Sequence, residues 1–125
     1  MGAFSKLQAF IFATLLAKPF PEWDAFKLGL IDEKGNLIKK PVTPEEKSSL
    51  NALTNLIRKI KKILVKFLPD SKLLGFIVSA YLLKSESTEP AMVELCDALT
   101  ENELNSVYSL IDTLILIDPD LPNKN

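Results

Sequence analysis

The 125-residue sequence contains no histidine and a single cysteine, Cys96. Without His the chain lacks the usual general base, the commonest metal ligand and the side chain that titrates near neutral pH. One Cys closes no internal disulfide and builds no zinc site. Only four glycines occur, and none sits in a phosphate-cradling loop. No apolar run reaches the roughly 18 residues that cross a bilayer. Together these absences point away from catalysis: the chain reads as non-enzymatic, with no cofactor and no metal expected.

What is present is an ordinary globular composition, 47% hydrophobic and 25% charged, enough for a single domain over residues 1–125 with its own core. The formal net charge of −1 hides an uneven distribution. Residues 1–38 are neutral, residues 39–84 carry ten Lys and Arg against three acids, and residues 85–125 carry nine acids against Lys124 alone. Two readings compete. Either the basic and acidic blocks neighbour each other and neutralise within the fold, or they face different partners.

The first 20 residues imitate a targeting signal and then fail as one. Leu7 to Ala17 is apolar behind Lys6, but Leu15-Leu16-Ala17 is a poor cleavage site and Pro19 and Pro21 follow at once. Met1-Gly2 invites myristoylation, yet Lys6 stands where that motif wants Ser or Thr.

Ala3 to Ala17 is therefore expected as a helix, with Phe4, Leu7, Ile11 and Leu15 on one stripe and Phe10, Phe12 and Leu16 widening it. Pro19 ends it. A short helix is expected over residues 21–27. Leu28-Gly29-Leu30-Ile31 and Asn36-Leu37-Ile38-Lys39-Lys40 flank Asp32-Glu33-Lys34-Gly35, which predicts a short β-hairpin over residues 28–40. Thr43-Pro44-Glu45-Glu46 is a capping box that opens a helix running to Leu68, with Leu53, Ile57, Ile60, Leu64 and Phe67 as its seam. A helix over 72–84 is apolar on nearly every side, so it belongs in a core or an interface. The polar stretch 85–90 is the candidate boundary. Pro90 to Leu99 forms a shorter helix with Met92, Val93, Leu95 and Leu99 inward, and Cys96 is expected as a small buried hydrophobe. Thr100-Glu101-Asn102-Glu103 opens a last helix through Ile117, and residues 118–125 form an extended tail. The fold class is mainly α: a compact helical domain of about five helices with one short hairpin.

Arg58, Lys59, Lys61, Lys62 and Lys66 form a basic face opposite the seam of the 43–68 helix. Such a stripe suits nucleic-acid phosphates, an acidic protein surface, or solvent alone. No Tyr or Trp interleaves with it to stack bases. Phe4, Phe10, Phe12 and Trp23 are the aromatic candidates for contact with another chain. Asp112, Asp118 and Asp120 lack the spacing of a calcium loop. The hydroxyls of Ser48, Ser49, Ser79 and Ser85 have no recognisable nucleophile motif around them.

Trp23-Asp24-Ala25-Phe26-Lys27-Leu28-Gly29-Leu30-Ile31-Asp32-Glu33-Lys34-Gly35-Asn36, followed by Thr43-Pro44-Glu45-Glu46-Lys47, resembles a pattern in small proteins of large tailed bacteriophages. The resemblance covers about residues 18–68 and is structural in kind. It implies a virion or assembly component located in the particle or the host cytoplasm, with no catalytic residues to carry over. Its partners would be other virion or assembly proteins, including a second copy of itself. A nucleic-acid-binding helical protein and a small regulator of a host protein are the alternatives.

Overall fold

Side-chain caps set most helix starts in this chain. Ser5 accepts from the Gln8 N–H and the Gln8 side chain accepts in return from the Ser5 N–H, opening α1 (Lys6–Ala17). Thr43 and Glu46 close the same reciprocal box at α3 (Pro44–Ser49), and Thr100 and Glu103 do so at α7 (Glu101–Ile117). Between them lie α2 (Asp24–Lys27), α4 (Ala52–Leu64), α5 (Leu73–Leu83) and α6 (Pro90–Ala98). The computed structural model describes residues 4–83 and 89–119, and these seven α-helices are the ones it holds there. Most of the stretch expected as a boundary (85–90) and of the expected tail (118–125) lies outside the described residues.

The helix expected from Thr43 to Leu68 is two helices. Leu50 leaves helical geometry at φ −133° and ψ 57°, the Ser49 hydroxyl donates to the Glu46 carbonyl, and Asn51 starts a new helix by accepting from the Thr54 N–H at 2.9 Å. An Asn cap side chain competes with continued helix, and here it wins. Because α4 ends at Leu64, Phe67 falls beyond the seam and is exposed.

The hairpin expected over residues 28–40 does not form: no strand occurs among the described residues, only one antiparallel bridge between Ile31 and Leu37. The turn itself is as the sequence suggests, with the Asp32 carboxylate accepting from the Lys34 and Asn36 N–H groups and Gly35 left-handed at φ 83°. The flanks cannot extend it. Leu28 is spent as the C-cap of α2, Gly29 turns the chain at φ 77°, and Pro41 lacks a ladder donor.

α1 lies against α4, α5 and α7. Its buried line is Ala9, Phe12 and Leu16, with Phe4, Ile11 and Leu15 half-buried, whereas Leu7 and Phe10 face outward. A helix apolar on every side does not choose its own inner face; the neighbours choose it. Ile57, Ile60 and Leu64 of α4, Leu73, Ile77 and Val78 of α5, Leu95 of α6, and Val107, Leu110 and Ile111 of α7 complete a single core. Cys96 and Val93 lie on the exposed side of α6 rather than the inner side expected for them, while Ala91, Met92 and Leu95 point inward.

The two left-handed glycines separate backbone strain from crowding. A methyl group at Gly35 would stand 2.4 Å from the Phe20 ring, whereas at Gly29 it would meet nothing within 4 Å. Gly29→Ala is expected to cost about 1 kcal/mol, the ordinary penalty of a left-handed side chain. Gly35→Ala adds overpacking and is expected to cost about 3 kcal/mol. Urea unfolding of the two variants checks the order, and equal losses would show that Phe20 yields freely.

Candidate functional site

The basic face of α4 is divided by the fold into a buried half and an outer half. Lys61 is fully buried: its Nζ donates to the Leu16 carbonyl at 2.7 Å, meets the Asp70 carboxylate at 3.1 Å and lies 5.5 Å from the centre of the Phe20 ring. The need for it arises in α1, where the chain leaves the helix before Pro19 and strands the last carbonyls without their amide partners. An ammonium at that negative end is favourable. Burial pushes the Lys61 pKa down, against the opposing pull of Asp70. Arg58 is also buried, with Nη1 donating to the Gly35 carbonyl at 3.0 Å and Nε to Asn55 Oδ1 at 2.9 Å. Arg58 and Lys61, expected as contact residues, are thus internal struts that tie α4 to the 32–36 turn and to α1.

Phe12 and Trp23, expected as contact residues, are internal in the same way. Both lie in the core, and the Trp23 indole donates to the Lys18 carbonyl at 2.9 Å, a second cap on the end of α1. The Phe20 and Trp23 rings pack at 5.0 Å. Phe4 is half-buried, so of the four aromatic candidates Phe10 alone presents most of its surface.

On the outer half, Lys59 pairs with Glu103 of α7 at 2.9 Å and Lys66 pairs with Glu94 of α6. The basic and acidic blocks of the sequence therefore neighbour one another, the first of the two readings. Hydrogen bonds from Thr100, then from Lys59, hold the Glu103 carboxyl below its ordinary pKa. Lys62 has no acidic partner among the described residues. It stands between two cavities: one of about 460 Å³ beside Pro19, Pro21 and Val65, and one of about 450 Å³ walled by Arg58, Lys59, Lys62 and Lys66 over Ile63, Ala98 and Leu99. A third, of about 400 Å³, lies between Asp24, Lys27 and Glu45.

Other polar groups are used in holding the fold. Glu46 accepts from Lys39 and from the Val42 and Thr43 N–H groups, which hold its carboxyl down to about 2. Asp112, expected in an acidic group with Asp118 and Asp120, accepts instead from the Tyr81 hydroxyl, which it pushes up to about 12. Among the described residues no group of three His, Cys, Asp or Glu side chains is placed to hold a metal ion, and no helix is long and apolar enough to cross a membrane.

A second surface was not legible in the sequence. A hydrogen bond from Thr113 to the Phe4 carbonyl and the Tyr81–Asp112 bond bring the start of α1, the end of α5 and the end of α7 to one end of the bundle. Large apolar side chains stand outward on those helices: Leu7 at 67% exposure, Phe10 at 65% and Leu116 at 82%, with Leu82 and Leu83 more than half exposed. The one signal for them was the lack of polar positions in α1 and α5. No known family, curated protein or solved structure matches this chain.

The two halves of the basic face make opposite predictions. Lys61→Met strands the Leu16 carbonyl and leaves Asp70 without its cation, and is expected to cost about 2–4 kcal/mol in urea unfolding. Lys62→Met is expected to stay within about 0.5 kcal/mol of the parent. The acid limb of stability tests Glu46. Its folded pKa lies near 2 against an ordinary 4.5, so its stabilisation is complete above pH 4.5 and vanishes as pH falls through 2. Glu46→Gln should flatten that limb, and an unchanged limb would assign the acid loss to other carboxylates.

Proposed function

We propose that this chain is a non-enzymatic structural or assembly protein of a tailed bacteriophage particle, acting through protein–protein contacts with other virion or assembly proteins, a second copy of itself included. The observation that carries this reading is the number of outward apolar side chains on α1, α5 and α7, among them Leu7, Phe10, Leu82, Leu83 and Leu116. A helix as apolar as α1 that leaves Leu7 and Phe10 in water exposes surface that another protein can cover. The resemblance of residues 18–68 to small phage proteins supports the setting, and it falls on a turn and helix starts rather than on reactive groups. The nucleic-acid alternative loses support from the basic face, since Arg58 and Lys61 point inward and Lys59 and Lys66 hold carboxylates.

Mass spectrometry of purified particles, from the phage whose genome carries the gene, is expected to find peptides of this chain. Their absence from washed particles and from assembly intermediates would remove the reading. In sizing experiments the purified protein is expected to elute above its 13.9 kDa monomer mass. The double change Leu7→Ser with Phe10→Ser should weaken that association about tenfold or more while leaving the helical content intact.

A further inference from the structure

The cavity of about 450 Å³ between α4 and α6 has four cations in its wall, Arg58, Lys59, Lys62 and Lys66, and no acid among the described residues that line it. Ile63, Ala98 and Leu99, with Asn36, complete its lining. We propose that it is a docking site for an acidic peptide segment of a partner protein that carries an apolar side chain next to its carboxylates.

The electrostatics favour this occupant. Arg58 is buried, and its charge is met only by the dipoles of the Gly35 carbonyl and the Asn55 amide, with no carboxylate in reach among the described residues. A buried cation balanced only by neutral acceptors keeps a positive potential over the cavity it adjoins. Lys62 adds a second cation without an acidic partner, one turn further along the same face. Lys59 and Lys66 flank them and already bind carboxylates, Glu103 and Glu94, at the rim. The wall therefore has geometry that accepts carboxylates, and Lys62 is left to accept one more under the field of Arg58.

The rest of the lining decides between carboxylate and phosphate partners. Ile63, Ala98 and Leu99 give the cavity an apolar part beside its cations, and among the described residues no aromatic ring lines it to stack a base. A volume near 450 Å³ suits a few side chains of an extended segment rather than a nucleic-acid backbone. This site lies on a different surface from the apolar end of the bundle, and the inference holds whether or not the chain is found in particles.

The test titrates the ¹⁵N-labelled full chain at low salt with the peptide acetyl-Glu-Leu-Asp-Leu-Glu-amide. Amide shifts are expected to concentrate at Ile63, Ala98 and Leu99 and to fade as salt is raised. Lys62→Glu should weaken binding at least tenfold and Lys62→Gln about threefold, with thermal melts matching the parent. Replacing both leucines of the peptide by serine should weaken it several-fold. The proposal is overturned if no shift occurs at millimolar peptide, if the shifts lie elsewhere, or if neither Lys62 variant changes them. Tighter binding of a ten-residue oligothymidylate at the same amides would also overturn it, by making the cavity a phosphate site.

Discussion

The end of α1 depends on a charge supplied from elsewhere. The chain leaves helical geometry at Lys18, ahead of Pro19, and the stranded Leu16 carbonyl is met by the Lys61 ammonium from α4. That same ammonium reaches Asp70, just before α5, and sits over the Phe20 ring. Phe20 in turn lies so close to Gly35 that only a glycine fits there, and Arg58 holds the Gly35 carbonyl from one turn earlier on α4. One buried face of one helix thus positions α1, the 32–36 turn and the approach to α5. Burying a Lys and an Arg is unfavourable unless their donors are satisfied, and here no buried side-chain nitrogen or oxygen among the described residues lacks a hydrogen-bond partner.

The same division explains what the protein offers to others. Cations spent on the interior cannot bind a ligand, and those on the rim are partly met by Glu94 and Glu103 from the acidic third of the chain. What remains is local: Lys62 and the unneutralised field of Arg58 beside Ile63, Ala98 and Leu99. The apolar end of the bundle is a separate resource. It arises because α1 and α5 are hydrophobic all round while each can bury only part of its circumference against its neighbours.

Local chemistry was readable where a few consecutive residues settle it. The caps at Thr43 and Thr100, the turn at Asp32 and Gly35, the break at Pro19 and the burial of Ile57, Ile60 and Leu64 on α4 all follow from short-range patterns. A good turn at Asp32 and Gly35 says nothing about whether its flanks have free donors, so it does not make a hairpin. Asn51 has the composition of a surface position, and only its capping bond to Thr54 divides the long helix in two. The i, i+3 spacing of Arg58 and Lys61 fits a solvated stripe as well as it fits a buried pair of struts. Nothing in the spacing shows that a carbonyl 45 residues earlier needs an ammonium.

By itself, the sequence determined a helical chain with no histidine and one cysteine, its principal caps and breaks, and its segregation into basic and acidic blocks. Those properties depend on residues within about one helical turn, or on composition alone. Tertiary structure alone decided which cations became struts, that the two charged blocks meet, which side of each all-apolar helix stays in water, and that a cavity walled by cations opens beside α6. These are set by contacts between residues far apart in the chain, where the energy of satisfying a buried polar group outweighs any local preference.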